Sequence, residues 1–236
     1  MVKKSKKTVL IVGGGTAGLT IANRLQNNFE VIIIEKNKYK KYPIWYKIPL
    51  LIGLLFKESN QYISKREHIL ANGRRLPFFE SNMIGGASVI NGCVHVLGNK
   101  RIWTQVLKKF RASYSDLLLS LENIYSFNIK DKYKINLSRA YNSKIDSDFL
   151  KTLNIKGISS GNVCHSDGEN SGPIYNTIRK YFRTSVLTLI KEKKFKIYMN
   201  ENIKELLFEN KRVIGVRTSN RKIYSSVKKI IFEEKN

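Results

Sequence analysis

TVLIVGGGTAGLTIANRLQNNFEVIIIE, residues Thr8 to Glu35, is the stretch on which the reading of this chain turns. It opens with a short β-branched, apolar run that ends at three consecutive glycines, Gly13, Gly14 and Gly15. Leu19, Ile21, Ala22 and Leu25 then fit one face of a helix, and Glu30 to Glu35 reads as a fully buried strand. Strand, glycine turn, helix and strand within about thirty residues predict a βαβ unit, and with it a parallel sheet and a right-handed crossover.

Where the first strand becomes the helix, the spacing is Gly13-x-Gly15-x-x-Gly18. Gly13 permits the tight turn, Gly15 lets the backbone approach a pyrophosphate, and Gly18 allows helix and strand to pack closely. The helix amino terminus, with Thr16 and Ala17, offers backbone N–H groups and a positive dipole end to phosphates. Glu35 closes the second strand, where a carboxylate accepts hydrogen bonds from ribose hydroxyls and disfavours a 2′-phosphate; Lys36 follows it. The pattern predicts a dinucleotide site and does not by itself separate FAD from NAD.

Outward from this unit, Tyr39 to Gly73 shows no clean period and reads as a long irregular excursion. Its apolar part, Ile44 to Phe56, is too short to span a bilayer and is expected to be buried. A glycine-rich segment runs from Gly85 to Gly98. Apolar positions from Trp103 to Tyr125 keep helical spacing, predicting one or two amphipathic helices with a core-facing side. Ser126 to Pro173 is polar and reads as loop, with a short helix around Asp146 to Leu153. Asn176 to Lys193 predicts a second strong helix, with Ile178, Tyr181, Phe182, Val186, Leu189 and Ile190 on one side. Five short runs after it, Phe195–Met199, Ile203–Phe208, Arg212–Thr218, Lys222–Tyr224 and Val227–Phe232, predict a β-meander. The fold class is α/β.

The segment VLIVGGGTAGLTIANRL followed by VIIIEKN resembles the opening signature of the glucose-methanol-choline (GMC) oxidoreductases. Gly73-Arg74 followed by NMIGGASVINGCVHVLGNKRIW resembles the second. The resemblance implies a Rossmann-like FAD-binding fold with a parallel sheet and a β-meander, without the carboxyl-terminal substrate domain. It implies that Gly85, Gly86, Ala87, Ser88, Asn91 and Gly92 pass along the flavin, and that Ile203 contacts the adenine through its backbone. Consecutive small residues fit that role, since they let backbone amides approach a flat ring and its phosphates. Some members attach FAD covalently through a histidine at the position of Ile90, so noncovalent FAD is expected here. Family chemistry is hydride transfer from an alcohol carbon to the flavin. The part that carries the catalytic histidine has no counterpart, and a small-molecule alcohol substrate would require a carboxyl-terminal half.

None of His68, His95 and His165 matches the catalytic position, and Cys93 and Cys164 lack a neighbouring base motif; no catalytic residue is assigned. The two cysteines form no CxxC pair, so neither a zinc site nor a disulfide framework is indicated, and a reducing cytoplasm fits. The formal charge of +25 would suit a nucleic-acid partner, but the lysines come in short runs between apolar segments and no specific nucleic-acid partner is expected. The alternative function is a noncatalytic nucleotide- or anion-binding protein with a basic interaction surface.

Overall fold

The computed structural model describes residues 7–39, 43–56, 61–139, 144–155, 174–220, 222–224 and 229–232. The chain divides into two units, one built from the residues up to Asn91 and from Ser185 onward, the other from Gly92 to Thr184. The first unit begins with β1 (Thr8–Val12), α1 (Thr16–Leu25) and β2 (Glu30–Ile34). Two 3₁₀ turns, Ile44–Lys47 and Pro49–Phe56, lead to β3 (Ile63–Ile69), β4 (Arg75–Ser81) and a further 3₁₀ turn at Gly86–Val89. The second unit holds β5 (Val94–His95), α2 (Lys100–Lys109), α3 (Tyr114–Glu122), β6 (Tyr125–Ser126), β7 (Ile135–Asn136) and β8 (Ser138–Arg139). It ends with α4 (Lys144–Ile155), β9 (Tyr175–Asn176), β10 (Ile178–Arg179) and β11 (Phe182–Arg183). The chain then returns to the first unit with α5 (Val186–Leu189), β12 (Lys196–Tyr198), β13 (Ile203–Glu209), β14 (Arg212–Thr218), β15 (Ile223–Tyr224) and β16 (Lys229–Phe232).

The βαβ unit forms as its pattern requires. Strands β12, β2, β1 and β16 lie in that order and all pair in parallel. Leu10, Ile11, Val31, Ile33 and Ile34 are fully buried, as strands of a parallel sheet demand when both faces are covered. Each such side chain contributes roughly 1.5–3 kcal/mol through its removal from water. Leu19 and Ala22 of α1 are buried with them.

The expected five-stranded meander is corrected to three strands, β13, β14 and β15, paired antiparallel. Asn210 and Lys211 turn the first hairpin with φ of 46° and 64°, the backbone a tight two-residue turn needs. The flanking runs leave the meander for the parallel sheet. β12 pairs with β2 and β16 with β1, filling both edges of the buried sheet.

Two further expectations fail on the first unit. The excursion is not irregular: β3 and β4 form a seven-pair antiparallel hairpin from Ile63↔Ser81 to Ile69↔Arg75. Nor is the apolar run Ile44 to Phe56 buried as a whole, since Leu50 is 91% exposed and Ile44 65%. Tyr46 enters the core there, packed with Met83, Val89 and Ile90.

In the second unit, α2 and α3 are the pair of helices the spacing predicts, each started by a side-chain cap. Asn99 accepts hydrogen bonds from the N–H groups of Arg101 and Ile102, and Ser113 with Asp116 forms a capping box. The apolar face of α2 does not bury, however: Ile102 and Phe110 are exposed. The predicted helix over Asn176 to Lys193 is also corrected. Only Val186–Leu189 is helical, and residues 178–183 form a tight hairpin through Lys180, whose φ is 58°. Tyr181, placed on the buried face by the helical reading, is 82% exposed. The short helix near Asp146 is present as α4. Cys164 and His165 lie outside the described residues.

Candidate functional site

The carboxyl ends of β1 and β2 point at one region of the first unit, and the glycine turn after β1 crosses above them. Gly13 N–H donates to the carbonyl of Ile34 (2.8 Å), which ties the turn to the end of β2. Gly15 caps α1 in extended backbone, so the cap brings no side-chain oxygen, and the first helical turn carries no acid. An N-terminus without a carboxylate of its own suits an anionic group.

The second glycine segment, 69 positions beyond Thr16, comes back onto this turn. Gly85 N–H donates to the carbonyl of Gly14 (2.8 Å), and the Thr16 hydroxyl donates to the carbonyl of Gly85 (3.3 Å). Gly86 lies so close that a Cβ on it would stand 3.0 Å from the Cα of Gly15, and its φ of 55° is left-handed. The Ser88 hydroxyl also donates to the Gly85 carbonyl (2.8 Å) and accepts from the N–H of Val186 (3.4 Å), the first residue of α5. Gly85, Gly86 and Ser88 are thereby brought together with Gly13, Gly15 and Thr16.

A cleft of about 200 Å³ opens beside the turn, lined by Val12, Gly13, Gly15, Ile34, Glu35, Lys36, Glu201, Asn202 and Ile203. Glu35, Lys36 and Ile203 thus meet the first glycine motif at one concavity. Glu35 is buried, and both its carboxylate oxygens accept backbone hydrogen bonds, Oε2 from Gly14 (2.5 Å) and Oε1 from Asn37 (2.8 Å). Each oxygen retains a second lone pair, so the acid braces the glycine turn with acceptor capacity to spare. Gly18 is buried within α1, Ala17 lies exposed on its first turn, and Asn91 bonds through its N–H to the Ala87 carbonyl (3.0 Å). Gly92 opens the second unit, with nothing within 4 Å of an added Cβ. Ile90 turns into the core with Tyr46, Met83 and Val89.

Glu201 and Asn202 escaped the sequence reading, because a single acid in an Asn-Glu-Asn turn matches no spacing rule. Glu201 is only 2% exposed. Its Oε1 accepts from the Lys222 ammonium, Oε2 lies 3.4 Å from the donating Asn220 amide, and the Thr218 hydroxyl also bonds to it. The hydrogen bond from Lys222 is the main reason its carboxyl sits below the ordinary glutamate range; burial pushes the other way. Folding therefore depresses this pKa, so the carboxylate's contribution to stability is present above the unfolded value and lost as pH falls through the folded one. Acid unfolding followed by circular dichroism is expected to show that loss below about pH 4, with Glu201→Gln flattening the profile there.

The described histidines stand elsewhere. His68 lies on β3 with its ring 5.2 Å from that of Phe78, and His95 lies on β5 with its ring 4.6 Å from that of Tyr125. Cys93 is buried, and burial pushes its thiol pKa up. A raised pKa disfavours the nucleophilic thiolate. Among the described residues no group of three or more His, Cys, Asp or Glu is arranged to hold a metal ion.

No family model matches the chain. An oxygen-dependent choline dehydrogenase from Staphylococcus haemolyticus is 32% identical over 104 residues, which cover 42% of this chain and 18% of that protein. Among solved structures, pyridoxine 4-oxidase from Mesorbium loti superposes with a TM-score of 0.75 at 17% identity, over 96% of this chain and 49% of the other. A formate oxidase from Aspergillus oryzae does so with a TM-score of 0.73 at 19% identity, over 98% and 46%. The chain spans about half the length of the solved structures it matches, and a smaller share of that curated relative. With the glycine segments, the parallel sheet and the cleft in place, the sequence likeness and the fold are those of the GMC oxidoreductases.

Proposed function

We propose that this chain binds FAD noncovalently in the glycine cleft, as the FAD-binding part of a flavin-dependent oxidoreductase acting on the CH–OH group of alcohols. The observation that carries the reading is the backbone-to-backbone contact of the two glycine segments, Gly85–Gly86 on Gly14–Gly15, beside a cleft closed by Glu35 and Ile203. In it the α1 N-terminus and the amides around Gly15 hold the pyrophosphate, Glu35 the ribose, and the Ile203 backbone the adenine. Gly85, Gly86, Ser88, Asn91 and Gly92 run toward the flavin. When bound, FAD supplies the hydride-accepting centre; the chain's own residues bind and orient it.

The reading extends to a small alcohol as substrate and to a cytoplasmic setting. No described helix is long and apolar enough to cross a membrane. The two carboxylates that line the cleft, Glu35 and Glu201, are taken up by the glycine turn and by Lys222, and neither is assigned the removal of the alcohol proton, a role commonly worth about 10²–10⁴-fold. The expectation for the 236-residue chain alone is flavin binding without turnover of alcohols.

The test is the absorption spectrum of the protein purified, or reconstituted with FAD and freed of excess. A flavin spectrum that co-elutes with the polypeptide supports the proposal; a colourless protein after reconstitution refutes it and favours the general anion binder. The noncovalent mode has its own outcome. Ile90 is a hydrocarbon side chain packed in the core, with no atom that forms a bond to the ring. Mild acid or heat is expected to release all the flavin into the supernatant, and colour retained by the denatured chain would refute that attachment.

A further inference from the structure

One wall of the cleft is formed by Glu201, Asn202 and Ile203, in the segment that follows β12 and enters β13. On one side it is bonded to the end of β2: Asn200 N–H donates to the Asn37 carbonyl (3.1 Å) and Glu201 N–H to the Glu35 carbonyl (3.0 Å). On the other it is bonded to the β14–β15 turn, where Ser219 N–H donates to the Asn202 carbonyl (2.7 Å) and the Asn220 amide to the Asn200 carbonyl (3.3 Å). One buried side chain spans this junction. The Glu201 carboxylate collects Lys222, Asn220 and Thr218, three side chains of that turn, at a point that also lines the cleft.

Resting on the reading that the cleft takes FAD, we infer that Glu201 is a positioning residue for the adenosine half of the nucleotide. It clamps the β14–β15 turn and so fixes the Asn200–Ile203 wall. The carboxylate is itself turned to Lys222, so its action on the nucleotide passes through the place it gives to Ile203 and to the Glu35 backbone. Binding sites depend on such supporting hydrogen bonds for their geometry.

Charge gives the inference a sign of its own. FAD and adenosine monophosphate are anions, and Glu201→Gln removes a negative charge from the cleft wall. Coulomb's law alone then predicts tighter binding. Loss of the clamp predicts weaker binding, by about tenfold if the wall is misplaced by a fraction of an ångström. Charge and position therefore pull this variant in opposite directions.

The experiment titrates FAD and, separately, adenosine monophosphate into the full chain, the Glu201→Gln variant, Lys222→Met and the double variant. All are measured at a temperature where circular dichroism shows them folded. The expected result is a roughly tenfold loss for both probes in Glu201→Gln, a similar loss in Lys222→Met, and no further loss in the double variant. Lys222 is largely solvent-exposed, so its variant keeps the test open if Glu201→Gln does not fold. Unchanged or tighter binding by folded Glu201→Gln, or by folded Lys222→Met if the former does not fold, overturns the inference while leaving FAD binding intact. So does additive loss in the double variant. A parent chain that binds neither probe overturns the FAD reading first, and this inference with it.

Discussion

Gly86→Ala is expected to cost the fold about 2–4 kcal/mol and to abolish FAD binding. Two terms add. At φ 55° an L-residue with a Cβ sits in the left-handed region, at roughly 1–2 kcal/mol. The new Cβ also lands 3.0 Å from the Cα of Gly15, and the obstacle is backbone rather than the tip of a side chain. Relief requires the glycine turn to move, and that turn carries the proposed pyrophosphate site. Gly85 makes an instructive neighbour. Its φ of 95° is strained too, but its closest obstacles are side chains, Cγ1 of the buried Val89 at 2.7 Å and Leu187 at 3.3 Å, so relief would come from the core and not from the glycine turn. Gly53→Ala meets nothing within 4 Å and serves as the control, expected within about 0.5 kcal/mol of the parent. Thermal unfolding and an FAD titration on the three variants decide the matter. An unfolding midpoint for Gly86→Ala equal to that of Gly53→Ala would remove the claim that the segments touch through backbone.

The second large effect is expected from Glu35→Gln. The carboxylate holds the Gly14 and Asn37 N–H groups and is proposed to hold the ribose as well. A glutamine has one acceptor oxygen, and its amide nitrogen would face a backbone donor in place of the other. Charge-assisted hydrogen bonds are worth roughly 1.5–3 kcal/mol each, so a 10- to 100-fold loss of FAD affinity is expected, with a lower unfolding midpoint. The two readouts separate the two roles. A lower midpoint with unchanged affinity in the folded variant would make Glu35 a brace for the glycine turn alone.

The glycine motif, the second glycine segment and Glu35 were legible in the sequence because each is a local arrangement of residue types with few structural alternatives. The resemblance implied an adenine contact for Ile203, and the structure has it lining the same cleft as Glu35 without testing that contact. Glu201 was not legible, because its importance lies in three residues of a turn about twenty positions further along, which only the fold gathers. The β3–β4 hairpin was hidden by its composition. Ser64-Lys65-Arg66-Glu67-His68 is polar on both faces, so a strand with little burial shows no period-2 signal. At residues 178–183 the error ran the other way. Ile178, Tyr181 and Phe182 have helical spacing, but Lys180 takes a left-handed φ and folds the chain back. Thr184 N–H then donates to the Thr177 carbonyl (2.8 Å) and closes a local hairpin, an alternative to a helix that side-chain spacing does not report.

The place of β1 in the sheet has a consequence in time. Its two neighbours are β2, synthesised moments later, and β16, the last strand described, with Val9 opposite Lys229. A chain emerging from a ribosome holds β1 and β2 ready long before β16 exists, and throughout that interval one edge of an almost wholly apolar strand stays open. Gly92 to Thr184, a contiguous run, waits less, its most distant strand pairing being β5 with β9, Val94 opposite Asn176. Pairings this distant along the chain form late and slowly, and open strand edges recruit other chains meanwhile. Aggregation during synthesis, more than instability of the finished fold, is thus the hazard its topology builds in.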